Sequence, residues 1–136
     1  MDNMDNMNII NNTFTEIIRE YYDSNKLKSE VSVLNGQKHG EYKEYYENGQ
    51  INIKCSYING KKNGEYKKHY DNGQLQVTSY NFNGRLHGEY KEYYDNGQLY
   101  VTYFYNNGKR HGEYKGYDSS GEISISCSYV NGQKID

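Results

Sequence analysis

Proline and tryptophan are both absent from this 136-residue chain, cysteine occurs twice, and phenylalanine only three times. With those residues scarce, the 18 tyrosines are the main apolar material. A phenol ring buries its body while its hydroxyl stays wet, which suits a half-exposed sheet better than a thick, dry interior. No apolar run approaches the roughly 18 to 20 residues that span a bilayer as a helix. Charge of one sign is lacking too: 16 Lys and Arg against 18 Asp and Glu leave a formal charge of -2, so nothing draws the chain as a whole to nucleic acid. The mean hydropathy of -1.17 raises disorder as an explanation. Disordered chains, however, are poor in aromatic residues and carry a large net charge, and neither condition holds here. The first twelve residues, MDNMDNMNIINN, carry acidic and no basic side chains and resemble neither a signal nor a transit peptide. The expectation is a cytoplasmic protein with a flexible segment at 1–12 and one folded unit over 13–136.

What the chain does have is a repeat. Asn-Gly pairs begin at Asn35, Asn59, Asn83, Asn107 and Asn131, always 24 residues apart. Gly40, Gly64, Gly88 and Gly112 keep that period, as do the Glu-Tyr pairs that begin at Glu41, Glu65, Glu89 and Glu113. A second turn signal, Glu/Asp-Asn-Gly-Gln, occupies 47–50, 71–74 and 95–98, and Asn25 stands at its glycine position in the first copy. Asparagine is the non-glycine residue that best tolerates positive φ, so Asn25 fits the alignment. Each unit reads as a strand such as EYKEYY (41–46), a two-residue type I′ turn at Asn-Gly, and a strand such as INIKCSYI (51–58). A six-residue loop, NGKKNG (59–64), leads to the next unit. The turn glycines are Gly36, Gly49, Gly60, Gly73, Gly84, Gly97 and Gly108.

Side chains along a strand alternate between faces, and an even repeat length returns every copy in phase. A two-residue turn sets Tyr46 opposite Ile51 and Tyr42 opposite Cys55, so one face carries Tyr42, Tyr46, Ile51, Ile53, Cys55 and Tyr57. The other carries Glu41, Lys43, Tyr45, Asn52, Lys54 and Ser56. The tyrosine face is the candidate interaction surface. It presents Tyr42, Tyr46 and Ile53, then Tyr66, Tyr70 and Val77, then Tyr90, Tyr94, Val101 and Tyr103, and finally Tyr114 and Ile125. Glu20, Glu44, Lys68 and Glu92 interrupt it, and Tyr80, Phe82 and Phe104 intrude on the polar face, so bulges can shift the register. The fold class expected is all-β, an elongated antiparallel meander of about ten strands, roughly 40 to 45 Å long.

The pattern NGxxHGEYKEYYxNGQL resembles the MORN repeat variant family over approximately residues 16–134. The same 24-residue form occurs in bacterial antitoxin-associated proteins and in proteins of giant DNA viruses. The resemblance implies hairpins in a twisted sheet, protein–protein contact, lipid association in some members, and no catalytic residue. Abundant Asn, Ile, Lys and Tyr also fits an AT-rich genome and hence a viral source, which would place the protein in host cytoplasm.

Chemistry is sparse. His39, His87 and His111 share one repeat position, but equivalent positions are about 9.6 Å apart, too far for one metal to bind two of them at roughly 2.0 to 2.1 Å. A structural turn role is expected instead, and aromatic packing for His69. Cys55 and Cys127 lie three repeats apart, on the order of 29 Å, beyond disulfide reach. The long loops lean basic, through Lys38, Lys61, Lys62, Arg85, Lys109, Arg110 and Lys134, and the short turns acidic, through Asp23, Glu47, Asp71 and Asp95. No phosphate-binding loop or nucleophile motif occurs, and a ladder of identical sites is a poor catalytic design. The expected function is a non-catalytic scaffold without a cofactor or metal. Its tyrosine and isoleucine face would bind a protein, including a second copy in a dimer, with edge pairing by Ile123 to Val130 as another geometry. The alternatives are a peripheral module for anionic lipid and an antitoxin-like neutraliser.

Overall fold

The computed structural model describes residues 15–135, and they form one open antiparallel sheet without a helix. The expected flexible segment 1–12 lies outside them. Ten long strands follow one another in chain order: Thr15–Tyr21, Leu27–Leu34, Gln37–Tyr45, Ile51–Ile58, Gly64–His69, Leu75–Phe82, Gly88–Tyr93, Leu99–Asn106, Gly112–Tyr117 and Ile123–Val130. Four two-residue strands, Lys61–Lys62, Arg85–Leu86, Lys109–Arg110 and Gln133–Lys134, accompany them. Each long strand pairs with its sequence neighbours, so the sheet is a meander.

The two kinds of turn differ from the sequence expectation. The type I′ turns are the Asn-Gly pairs of the supposed six-residue loops: Asn59 and Gly60 both have positive φ, at 49° and 83°. Lys61 and Lys62 then pair back onto Ile58 and Tyr57. The loop is thus a tight hairpin followed by a two-residue step at Asn63 and Gly64, where Asn63 N–H donates to Ser56 O at 2.9 Å and Gly64 pairs with Asn81 on the other side. Gly64, with φ 100°, supplies the left-handed backbone at that step. At the other end, Asn48 is not in the positive-φ region, whereas Gly49 is, at 90°. Gly49 N–H donates to Tyr46 O at 2.9 Å, and Tyr46 N–H to Gln50 O at 2.8 Å. Glu47 to Gly49 therefore form a three-residue loop, a type I turn closed by glycine, rather than a two-residue type I′ turn. Asn25 fills the glycine position of the first copy with φ 68°.

The extra loop residue should slip the register by one, yet Tyr42 does face Cys55. A compensating bulge explains this: Tyr45 pairs with Ile51 and Glu44 with Ile53, leaving Asn52 as the added residue. The same shift recurs at His69/Leu75, Tyr93/Leu99 and Tyr117/Ile123. One added residue reverses the alternation. Ile51 and Leu99 consequently sit on the face of Tyr45 and Tyr93, not on the tyrosine face expected, and Asn52 joins the tyrosine face in their place. The step at Asn63 and Gly64 adds two residues, so Lys62 and Tyr66 keep the same face. Nine of the described residues are buried, Val31, Val33, Cys55, Val101 and Cys127 with Ser29, Ser79, Asn81 and Gly116, and all lie on the tyrosine face by this register. That face is the core of the sheet, and Val101, 2% exposed, is its most buried apolar residue.

Candidate interaction face

The register sorts the tyrosine face into three rows that cross the strands. The central row runs Tyr42, Cys55, Tyr66, Ser79, Tyr90, Tyr103, Tyr114, Cys127. Its rings meet tilted, Tyr90 to Tyr103 at 5.3 Å and Tyr103 to Tyr114 at 4.8 Å, and Tyr114 meets Tyr129, one step nearer the Asn-Gly turns, edge-on at 6.4 Å. Toward the short turns lies the row of Glu44, Ile53, Lys68, Val77, Glu92, Val101, Gly116 and Ile125. Tyr42 Oη donates to Glu44 at 2.8 Å and Tyr90 Oη to Glu92 at 3.0 Å. Burial, and then these carboxylate partners, push both phenols well above the ordinary tyrosine range. At the first repeat, shorter side chains leave a groove of about 430 Å³ between Ile18, Val31, Val33 and Tyr42.

Tyr46, Tyr70 and Tyr94, counted above among the candidate contacts, have a structural task as well. Each hydroxyl donates to a main-chain carbonyl in the next repeat, of His69 at 2.6 Å, Tyr93 at 2.7 Å and Tyr117 at 2.9 Å. Tyr22 does the same to Tyr45 at 2.6 Å. These staples join repeats beyond the ladder itself. Asp118 stands where the next such tyrosine would be. Its carboxylate accepts instead from Ser120 and the main chain of its own turn, which holds its pKa below the usual range.

A third row, toward the Asn-Gly turns, contains side chains that sequence reasoning assigned merely to a basic rim. Lys38 Nζ lies 5.2 and 5.1 Å from the ring centres of Tyr42 and Tyr57, and Lys62 Nζ lies 4.7 Å from that of Tyr66. The Arg110 guanidinium lies among Tyr103, Tyr114 and Tyr129 at 4.5, 5.9 and 5.3 Å and donates to Tyr129 Oη at 3.3 Å. The available signal was spacing: each cation stands four residues before a row tyrosine, past a two-residue step that preserves its face.

The opposite face is arranged differently. Glu41, Glu65, Glu89 and Glu113 each pair with the lysine two residues on, at 3.2 to 3.8 Å, and Lys54 adds a second partner to Glu41. Burial opposes ionisation of Glu41 but is outweighed by Lys43 and Lys54, so its pKa is lowered. Tyr80 and Phe104 stand exposed on this face. His39, His87 and His111 each accept, through Nδ1, the N–H of the asparagine that begins the next Asn-Gly turn, at 3.2 to 3.3 Å. Asn63 does this through its side-chain oxygen to Asn83. His69 pairs with Leu75, and its Nδ1 is buried without a hydrogen-bond partner. Cys55 and Cys127 are free and buried, and burial pushes the Cys55 thiol up.

Repeated hairpins in a single open sheet, with their core on one side and no asymmetric cluster of reactive groups among the described residues, define a scaffold type of repeat protein. The MORN repeat variant matches the chain five times, over residues 17–35, 38–59, 62–84, 86–107 and 110–131, and the chain belongs to this family. MORN repeats are a non-enzymatic scaffold type that commonly mediates protein or lipid interactions. None of the curated proteins matches the chain.

Proposed function

We propose that this protein is a non-catalytic scaffold whose tyrosine face binds other proteins, including a second copy of itself. The observation that carries the reading is that every buried side chain among the described residues lies on this face of a single-layered sheet, while Ile18, Tyr100 and Ile125 on it remain 45%, 46% and 48% exposed. A partner that covers them adds the burial that a second layer supplies in an ordinary domain. The buried free thiols fit a reducing, cytoplasmic setting. Sedimentation analysis across a concentration series tests self-association. A dimer that weakens when Tyr100→Ser and Ile125→Ser are combined supports it, and a strict monomer at high micromolar concentration removes it.

A second reading, binding to anionic membranes, is favoured by the rim. Ile58, Phe82 and Val130, exposed by 47%, 59% and 42%, adjoin the Asn-Gly turns that also carry Lys61, Arg85 and Lys109. Apolar tips beside basic residues suit the interfacial zone of a bilayer. Salt-sensitive co-sedimentation with phosphatidylserine vesicles, reduced by Phe82→Ser, is its test; no binding at low salt rejects it.

A further inference from the structure

The two faces treat their cations in opposite ways. On the face of Glu41, the lysines Lys43, Lys54, Lys67, Lys91 and Lys115 are all neutralised by strand glutamates of the same sheet. On the tyrosine face, Lys38, Lys62 and Arg110 are in no ion pair among the described residues and are held against tyrosine rings instead. A cation over a ring is positioned without being neutralised, because the ring quadrupole leaves the formal charge intact. Of the three, Arg110 is the most elaborately held. Three rings surround its guanidinium, Tyr129 accepts from it at 3.3 Å, and Tyr105 is a further hydrogen-bond partner. A planar fork of donors beside phenol hydroxyls is suited to a carboxylate, which Arg engages through two parallel hydrogen bonds.

The row also has a regular pitch. Lys38 and Lys62 are one repeat apart, about 9.6 Å, and Arg110 lies two repeats beyond Lys62, about 19 Å. At the remaining position of the series stands Leu86, an apolar contact between two charges. We propose that the tyrosine face is a docking site for an acidic segment of a partner protein. The segment crosses the strands, with one carboxylate on the Arg110 and tyrosine cluster and others on Lys62 and Lys38. This deepens the protein-binding reading above and rests on it. A protein segment suits these groups better than a membrane because they lie along the face, each turned in over a ring, whereas the exposed apolar tips belong to the rim.

Binding of labelled poly-L-glutamate of about 20 residues, followed by fluorescence anisotropy at low ionic strength, tests the idea, with poly-L-lysine as the control and circular dichroism confirming that each variant folds. The expected result is binding of polyglutamate that falls at least tenfold in Arg110→Gln, as for loss of a charge-assisted hydrogen bond. Lys67→Gln on the opposite face should leave it unchanged. Arg110→Lys separates the chemistries: a carboxylate fork is lost with the guanidinium, while attraction to a charged surface survives because the charge does. Absence of polyglutamate binding overturns the proposal. So does binding that is indifferent to Arg110→Gln, or binding to phosphatidylserine vesicles alone. If polyglutamate fails while the Tyr100 and Ile125 substitutions still dissolve a dimer, the protein-binding reading stands and only the acidic partner falls.

Discussion

Removing one oxygen atom should uncouple two repeats. In Tyr70→Phe the ring and its packing remain, but the 2.7 Å hydrogen bond to the Tyr93 carbonyl in the next repeat is lost. A hydrogen bond of this kind contributes about 1 kcal/mol net, and toward the upper end of the 0.5–1.5 range where the stranded acceptor is shielded from water. Tyr46, Tyr70 and Tyr94 are about 9.6 Å apart along the sheet, far enough for their effects to add. The triple Phe variant should therefore lose about 3 kcal/mol out of a typical 5–15 for a domain. In urea, with a slope of about 2 kcal/mol/M, the single substitution lowers the midpoint by roughly 0.5 M. A further consequence follows from the linear architecture. Stability in such an array is a sum of repeat and interface energies, so weakening three interfaces should lower the apparent slope as end repeats unfold before central ones. Tyr117→Phe is the matched control, because Tyr117 takes part in its staple only through its main-chain carbonyl. A triple variant within about 0.5 kcal/mol of the wild type and equally cooperative would refute the stapling argument.

Other substitutions address the turns, the buried histidine and the tyrosine row. Gly88→Ala should cost about 1 kcal/mol or more in chemical denaturation: a Cβ there meets nothing within 4 Å, so the cost comes only from the φ of +92°. His69→Tyr places the residue found at 45, 93 and 117 where Nδ1 is now buried without a partner, and should raise stability by about 1 kcal/mol. Tyr42 and Tyr90, whose phenols are raised by burial and by Glu44 and Glu92, favour the fold fully below the unfolded tyrosine pKa of about 10. That contribution is lost as pH rises through their folded values, so the protein should unfold in alkali. Phenolate absorbance should show Tyr42 and Tyr90 titrating together with unfolding, and Tyr42→Phe with Tyr90→Phe should flatten the alkaline limb.

The strand order, the repeat boundaries and the meander could be read from spacing alone, because an Asn-Gly pair every 24 residues constrains the backbone directly. The pairing of Tyr42 with Cys55 was legible for a less secure reason. The short loop is one residue longer than a type I′ turn, and the bulge at Asn52 adds one residue on the other side, so two departures cancel in the ladder. They do not cancel in the faces. Ile51 and Leu99 lie between the loop and the bulge, where the alternation is reversed, and they cross to the other side. Nothing in the local pattern of INIKCSYI marks Asn52 as an added residue; its amide earns that place through contacts with Glu44 and Lys68 made across strands. The tertiary roles of Tyr46, Tyr70 and Tyr94 were hidden for the same reason, since a hydroxyl that reaches into the next repeat looks like any other aromatic in a strand.

Perfect repetition would make every point on such a sheet equivalent, and a partner would then have no register to prefer. Specificity must therefore come from the positions where copies differ. On the tyrosine face these are Lys68 between Glu44 and Glu92, Leu86 between Lys62 and Arg110, and Gly116, whose missing side chain is filled by Ile125: a Cβ there would approach the Ile125 methyl to 2.6 Å. The effect is a face whose first repeats mix carboxylates, Glu16, Glu20 and Glu44, with the ring-held Lys38 and Lys62, and whose last repeats carry the ring-held arginine. A partner that crosses the strands in one direction matches that order and in the other opposes it. Exchanging the two positions, with Leu86→Arg and Arg110→Leu, keeps composition and net charge but moves the strongest anion site one repeat inward. A segment registered by charge must follow it, and a segment held by tyrosine burial alone has no reason to move.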